Sequence, residues 1–214
     1  MDIQQVSWTK GFRYLLFTMA GIAGIMGILA TNGVAVIHGA LKVAVGPGGH
    51  PWIVTNDGAI YGYNGSAWNR IEGPGTADDL ELCGGFLVIL TRPDAQGIRQ
   101  VKSQNISGGA WETYPAIGSP GAVGLKQVAC SGNEPIVLAN APNYGIFKYD
   151  RSAQNWISIH NAATWMSVEN SRLFYTYPTT TSGNVWSRNL SGGPYQRWGN
   201  QMVADKVAGD ANGL

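Results

Sequence analysis

Tryptophan recurs along this chain at a near-constant interval. Trp68, Trp111, Trp156 and Trp198 stand 43, 45 and 42 residues apart. Each follows a turn-forming stretch: Asn64-Gly-Ser-Ala, Ser107-Gly-Gly-Ala, Ser152-Ala-Gln-Asn and Ser191-Gly-Gly-Pro. Before each turn lies an apolar or aromatic run: Ile60–Tyr63, Ile98–Val101, Ile146–Tyr149 and Val185–Arg188. A further run precedes it: Trp52–Val54, Phe86–Leu90, Ile136–Leu138 and Leu173–Tyr175. Each unit opens on a strand-like stretch: Leu41–Val45, Leu80–Cys83, Leu125–Ala129 and Trp165–Val168. Four short strands with turn signals between them, repeated every 40-odd residues, are the pattern of a β-propeller blade. One four-stranded sheet cannot cover both of its apolar faces, and blades stacked around an axis cover one another.

The expected fold is therefore all-β, a propeller of four-stranded blades in a single domain over 1–214. Composition agrees: Gly is 30 of 214 residues and only 13% are charged, which suits tight turns and disfavours helix bundles. Units 41–79, 80–124, 125–163 and 164–205 make four clear blades. Residues 1–40 match a blade weakly, and 206–214 resemble the start of a closing one. Opening strands near 14, 41, 80, 125, 164 and 206 favour six blades, with the terminal ones incomplete. The tryptophan period alone gives five.

The stretch from Tyr14 to Leu41 carries no Asp, Glu, Lys or Arg, and Tyr14–Ala30 is an apolar run behind Lys10 and Arg13. A signal peptide or a short membrane anchor would look like this. Yet Ile28–Gly39 parallels Ile53–Asn64, strand, Asn/Gly turn, strand, so a blade is the preferred reading and membrane insertion through 14–30 the lesser one. The cytoplasm is slightly preferred over a secreted or membrane-associated location. Cys83 and Cys130 lie in similar strings and are expected as buried free thiols in equivalent strands; a bridge between neighbouring strands is the alternative.

Val43 to Gly73 runs through Val45-Gly46, Trp52, Asn56-Asp57-Gly58, Tyr61, Tyr63 and Trp68. In that order of strands and turns it resembles the tectonin repeat family, and Val207–Gly213 matches the repeat's opening. The resemblance covers 41–214 firmly and 1–40 weakly. It implies a lectin-like propeller, usually six-bladed, that binds lipopolysaccharide or glycans, including O-methylated sugars. Some members serve as interaction domains.

Sugar rings pack their C–H faces on Trp or Tyr, and their hydroxyls need Asn, Asp, Gln or backbone partners. An O-methyl group would add a small apolar pocket. Candidate ligand residues are Trp52, Asp57, Tyr61, Tyr63, Asn64 and Trp68 in the first clear unit. Later units offer Trp111, then Tyr144, Phe147, Tyr149, Asn155 and Trp156, then Tyr175, Tyr177, Trp186, Asn189 and Trp198. Against this, outer-strand tryptophans at blade spacing serve packing as well, and that is the favoured role for them. Several shallow sites would give avidity on a multivalent surface.

Asn64-Gly-Ser66, Asn105-Ile-Ser107 and Asn189-Leu-Ser191 are N-glycosylation sequons at the same turn of three units; Asn and Ser also simply suit turns. No enzyme is expected. His38, His50 and His160 are scattered, and adjacent Asp78 and Asp79 would face opposite sides of a strand. No cofactor or metal is expected, since the chain has no CxxC or His/Cys cluster and Asp210-Ala-Asn212-Gly lacks the rest of a calcium loop. Net charge is +1, too weak a field for a general nucleic-acid binder. Glycans on microbial or cell surfaces are the expected partners, a homo-oligomer is allowed, and a non-catalytic protein-interaction propeller is the second reading.

Overall fold

A computed structural model describes residues 39–117, 124–139, 145–176 and 185–198. They form four antiparallel sheets of four strands each. The first blade holds β1 (Ala40–Val45), β2 (Pro51–Thr55), β3 (Ile60–Tyr63) and β4 (Trp68–Glu72). The second holds β5 (Ala77–Cys83), β6 (Phe86–Thr91), β7 (Val101–Asn105) and β8 (Glu112–Thr113). The third holds β9 (Leu125–Ser131), β10 (Glu134–Ala139), β11 (Gly145–Asp150) and β12 (Asn155–His160). The fourth holds β13 (Trp165–Glu169), β14 (Arg172–Thr176), β15 (Val185–Asn189) and β16 (Gln196–Trp198). Every sheet is a meander in chain order, as four short strands with tight turns dictate. Of the terminal blades expected at 1–40 and 206–214, residues 1–38 and all of 206–214 fall outside the described residues, while Ala40 belongs to β1.

Two strands start three residues away from the sequence expectation. The second blade's third strand begins at Val101, where Ile98–Val101 was expected. Asp94 and Ile98 close a turn instead, with the Ile98 amide bonded to Asp94 Oδ1 at 2.8 Å and the Asp94 amide to the Ile98 carbonyl at 2.9 Å. Local side-chain capture of the backbone outcompetes the apolar pattern there. The second blade also opens at Ala77 rather than Leu80, because Ala77 and Asp79 pair with Thr91 and Leu90 of β6.

The blades cover one another's faces. Leu87 and Ile89 of β6 join Ala44, Val54 and Ile60 of the first blade in one core. Val88 and Leu90, pointing the other way, join Val128, Val137 and Tyr149 of the third. Ile136 and Leu138 face Met166, Leu173 and Tyr175 of the fourth. The period-2 alternation of a strand thus sends successive residues of one apolar run into two different seams.

Polar side chains stitch the inner strands together across these seams. Asp79 of β5 is 6% exposed. Its Oδ2 accepts the Val128 amide of β9 at 2.9 Å, and Oδ1 lies 3.2 Å from Lys42 Nζ of β1. One seam further, Gln127 of β9 donates from Nε2 to the Met166 carbonyl at 2.7 Å and accepts the Met166 amide at 3.2 Å. Asp78 pairs with Arg92 and Arg99 where the β5–β6 register shifts, so the two adjacent carboxylates take separate partners.

Cys83 and Cys130 are not free thiols. They form a disulfide between β5 and β9, with Cα atoms 5.3 Å apart. The inner strands of adjacent blades converge, so equivalent positions one blade apart come within bridging distance. Closing the 47-residue separation is worth about 4 kcal/mol in the chain-entropy treatment. Denaturant unfolding with and without reductant should therefore show a loss of about that size on reduction, and Cys83→Ala/Cys130→Ala should remove the difference.

Burial pushes the Asp79 carboxyl above its ordinary value of 3.8, against the pull of Lys42 and of the Val128 and Leu80 amides. Burial likewise raises Glu81 above 4.5. A carboxyl raised by folding contributes its full stability below the unfolded pKa and loses it as pH rises through the folded value. The contribution of Asp79 and Glu81 to the unfolding free energy should accordingly fall as pH is raised from about 4, and Asp79→Asn should gain stability relative to wild type over that rise, read from denaturant unfolding at a series of pH values.

Candidate ligand-binding site

The turns divide the molecule into two rims. The β1–β2 loop and the β3–β4 turn share one: Gly65 packs beside His50, and the His50 and Tyr63 rings meet edge-on at 6.3 Å. The β2–β3 turn and the β4–β5 link share the other, where the Gly75 amide bonds the Asp57 carbonyl at 2.7 Å and the Thr76 amide the Gly58 carbonyl at 3.2 Å.

On that second rim, a groove of about 330 Å³ opens at the seam between the first two blades. Trp111 forms one wall. Its indole Nε1 donates to Glu72 Oε1 at 2.6 Å, tying the outer edge of the second blade to the end of β4. Lys102, Gln100 and Thr91 line the groove from the second blade, and Ile89 and Ile98 give it an apolar surface. Thr76, Arg92 and Asp94 complete its polar rim. Asp94 is committed to its own turn, with Oδ1 accepting the Gln96 and Ile98 amides at 2.9 and 2.8 Å. Arg92 is committed to Asp78 and the Asn56 carbonyl. Glu72 keeps its second carboxylate oxygen, and Lys102 its ammonium, for a guest. The acidic and basic residues balance, so the groove suits a neutral polar molecule with an apolar face.

The equivalent seam between the second and third blades is closed. Trp156 is 8% exposed and donates to the Pro115 carbonyl at 2.8 Å. Tyr114 and Tyr149 pack edge-on beside it with ring centroids 4.7 Å apart. The cavity left there measures about 90 Å³.

Most of the sequence-derived candidates lie elsewhere. Tyr149 and Tyr175 are buried in the seams, and Tyr61 is buried against Ile53 and Ala59 of its own blade, where a ligand does not reach their faces. Trp52 lies flat on the backbone of Gly62, whose missing side chain makes room for the indole. Trp186 packs on the core between the third and fourth blades. Asp57 is held in the β2–β3 turn, bonded by the Thr55 hydroxyl and by the Ala59 amide at 3.3 Å. Asn64 Oδ1 accepts the Ser66 amide, the Ser66 hydroxyl and the Ala67 amide, each at 2.9 Å. Asn155 accepts the Trp156 amide at 2.8 Å. Tyr63 stays half-buried at the first rim, its ring tilted against Trp68 with centroids 5.3 Å apart. Phe147 packs on the core of the second seam. Trp198 donates to Ser187 Oγ within its own blade at 2.8 Å. Tyr144 and Tyr177 fall outside the described residues. Of the candidates, Trp111 lines the groove at the first seam, where the structure assembles it with Glu72, Gln100 and Lys102, which sequence reasoning had not joined. Only the recurrence of Trp111 itself signalled them.

Among the described residues, no cluster of His, Cys, Asp and Glu could hold a metal ion. No described helix is long and apolar enough to cross a membrane.

Solved structures share this arrangement. A TolB protein from Agrobacterium tumefaciens superposes with a TM-score of 0.60 at 12% identity, over 74% of this chain and 61% of its own. YCF48, solved bound to D1 peptide, superposes with a TM-score of 0.56 at 12% identity, over 84% and 60%. The fold is a β-propeller. A Mycobacterium tuberculosis puromycin-hydrolyzing peptidase also matches, with a TM-score of 0.59 at 15% identity, over 80% of this chain and 30% of its own. This chain spans about three-fifths of the length of the first two. Identities this low carry the architecture alone. No family model and no curated protein matches the chain.

Gly62 offers a direct check on the packing of the first seam. A Cβ there would lie 3.1 Å from the Trp52 ring, and overpacking of this kind costs about 1–3 kcal/mol. Gly62→Val should lower the unfolding midpoint by a corresponding amount and alter the tryptophan emission, whereas Gly73→Ala, in open space, should do neither.

Proposed function

We propose that this propeller is a non-catalytic glycan-binding protein whose ligand sits in the groove at the first blade seam. The observation that carries the proposal is the junction of the Trp111 indole with Glu72, Gln100, Thr91 and Lys102 in one cavity of about 330 Å³. A sugar presents an apolar C–H face and a ring of hydroxyls, which is what an aromatic wall beside convergent polar groups takes. Ile89 and Ile98 supply an apolar corner suited to an O-methyl substituent. The tectonin resemblance of 41–214 supports a glycan over other small ligands.

A protein-binding propeller is the second reading. Leu41, Val43 and Val45 of β1 are each more than half exposed, and three apolar side chains in an alternating row suit a protein partner. YCF48 shows that a similar fold takes a peptide.

Purified protein on a glycan array with O-methylated sugars and lipopolysaccharide cores separates the two. Selective binding should appear, and Trp111→Ala should weaken it by at least tenfold, since aromatic stacking and a released Glu72 are both lost; roughly 1.4 kcal/mol corresponds to that factor. Tyr63→Ala, on the opposite rim, should leave it unchanged. A blank array from folded protein overturns the glycan reading and favours the protein partner.

A further inference from the structure

The three sequons occupy one repeated turn geometry. Asn64, Asn105 and Asn189 are all exposed. In each, Oδ1 accepts the amide and the hydroxyl of the serine two residues on: at 2.9 and 2.9 Å for Asn64, 2.9 and 2.7 Å for Asn105, and 2.9 and 2.7 Å for Asn189. The third blade makes the same turn with an acid. Asp150 Oδ1 accepts the Ser152 amide at 2.8 Å and the Ser152 hydroxyl at 2.6 Å. A carboxylate oxygen therefore suffices to build this turn. The amide nitrogen of the other three plays no part in it, and three exposed blades carry that nitrogen with Ser placed for a sequon.

We propose that Asn64, Asn105 and Asn189 are N-glycan acceptors and that their glycans line a single rim of the propeller. The turns lie between β3 and β4, β7 and β8, and β15 and β16, on the side marked by His50 and Tyr63. The groove at Trp111 opens on the opposite rim, between the β4–β5 link and the β6–β7 loop. A carbohydrate coat at the three turns would leave that groove clear; this last clause rests on the glycan-binding reading, and the acceptor assignment does not.

The disulfide is the second, independent observation. Cys83–Cys130 closes a buried seam, and such bridges persist in oxidising, secretory compartments, where glycan transfer to sequons also takes place. This favours a secreted location over the cytoplasmic one that the sequence slightly preferred. In the transfer, Asn Nδ2 attacks C1 of a lipid-pyrophosphate-linked oligosaccharide. A C1–N bond forms and the C1–O bond to pyrophosphate breaks. The lipid pyrophosphate leaves with the electron pair, and one Nδ2 proton passes to a base; nothing is oxidised or reduced.

The test is expression of the full chain behind a supplied secretion leader in a eukaryotic host, which brings every sequon to the transfer machinery. Intact mass and peptide mapping are read before and after an amidase that removes N-glycans and leaves Asp. Three occupied asparagines are expected, and Asn64→Asp, Asn105→Asp and Asn189→Asp should each remove one glycan. Asp150 shows that these variants keep the turn, so the triple variant should fold with an unchanged melting temperature and bind an array glycan within twofold of the glycosylated protein. A site found bare overturns its own assignment. Three bare sites on the secreted, folded protein overturn the proposal. Occupied sites with Trp111→Ala binding like wild type would sink the groove and leave the acceptors standing.

Discussion

A sheet of four short strands with apolar residues on both faces has no stable existence in water, and the structure is organised around that fact. Successive residues of β6 and β10 enter cores on opposite sides of their blade. Each seam therefore needs two blades, and each interior blade needs two neighbours. The near-continuous apolar runs Phe86–Leu90 and Ile136–Leu138 follow from this double duty. A sheet covered on one face only would alternate polar and apolar residues instead.

Apolar contact alone does not fix how one blade sits against the next. The inner strands are not paired in a common ladder, and their facing backbone groups need partners. Asp79 and Gln127 provide them, each one residue ahead of a fully buried apolar side chain, Leu80 and Val128. Asp79 can only accept, and it takes the Val128 amide with Lys42 offsetting part of its buried charge. Gln127 does both, accepting the Met166 amide and donating to the Met166 carbonyl. Arg99 adds a third link outside these strands, donating to the Leu125 carbonyl at 2.9 Å while paired with Asp78. With the disulfide, these bonds set the rotation and height of adjacent blades, and the shape of the seam between them follows.

That shape differs from seam to seam although the blades repeat. At the second seam Tyr114, Pro115 and Ile117 fill the space around Trp156. At the first, the residues after β4 are Gly73-Pro74-Gly75-Thr76, too small to fill it, and Trp111 is left as the wall of a groove. A repeated frame thus produces unequal sites, with local loop volume deciding which seam stays open.

The blades were legible in the chain's local pattern. Tryptophan spacing, turn chemistry and period-2 runs located four sheets to within a few residues, because strand alternation and tight turns are local constraints. It also placed the Asx turns, whose bonds span two or three residues. The contacts between blades needed the folded molecule: the Cys83–Cys130 bridge, the burial of Tyr149 and Tyr175, and the meeting of Trp111 with Glu72 some 39 residues earlier. Aromatic residues look alike in sequence whether they wall a pocket or fill a seam. The difference is set by what the neighbouring blade places opposite them, and a period along one chain carries no record of that volume.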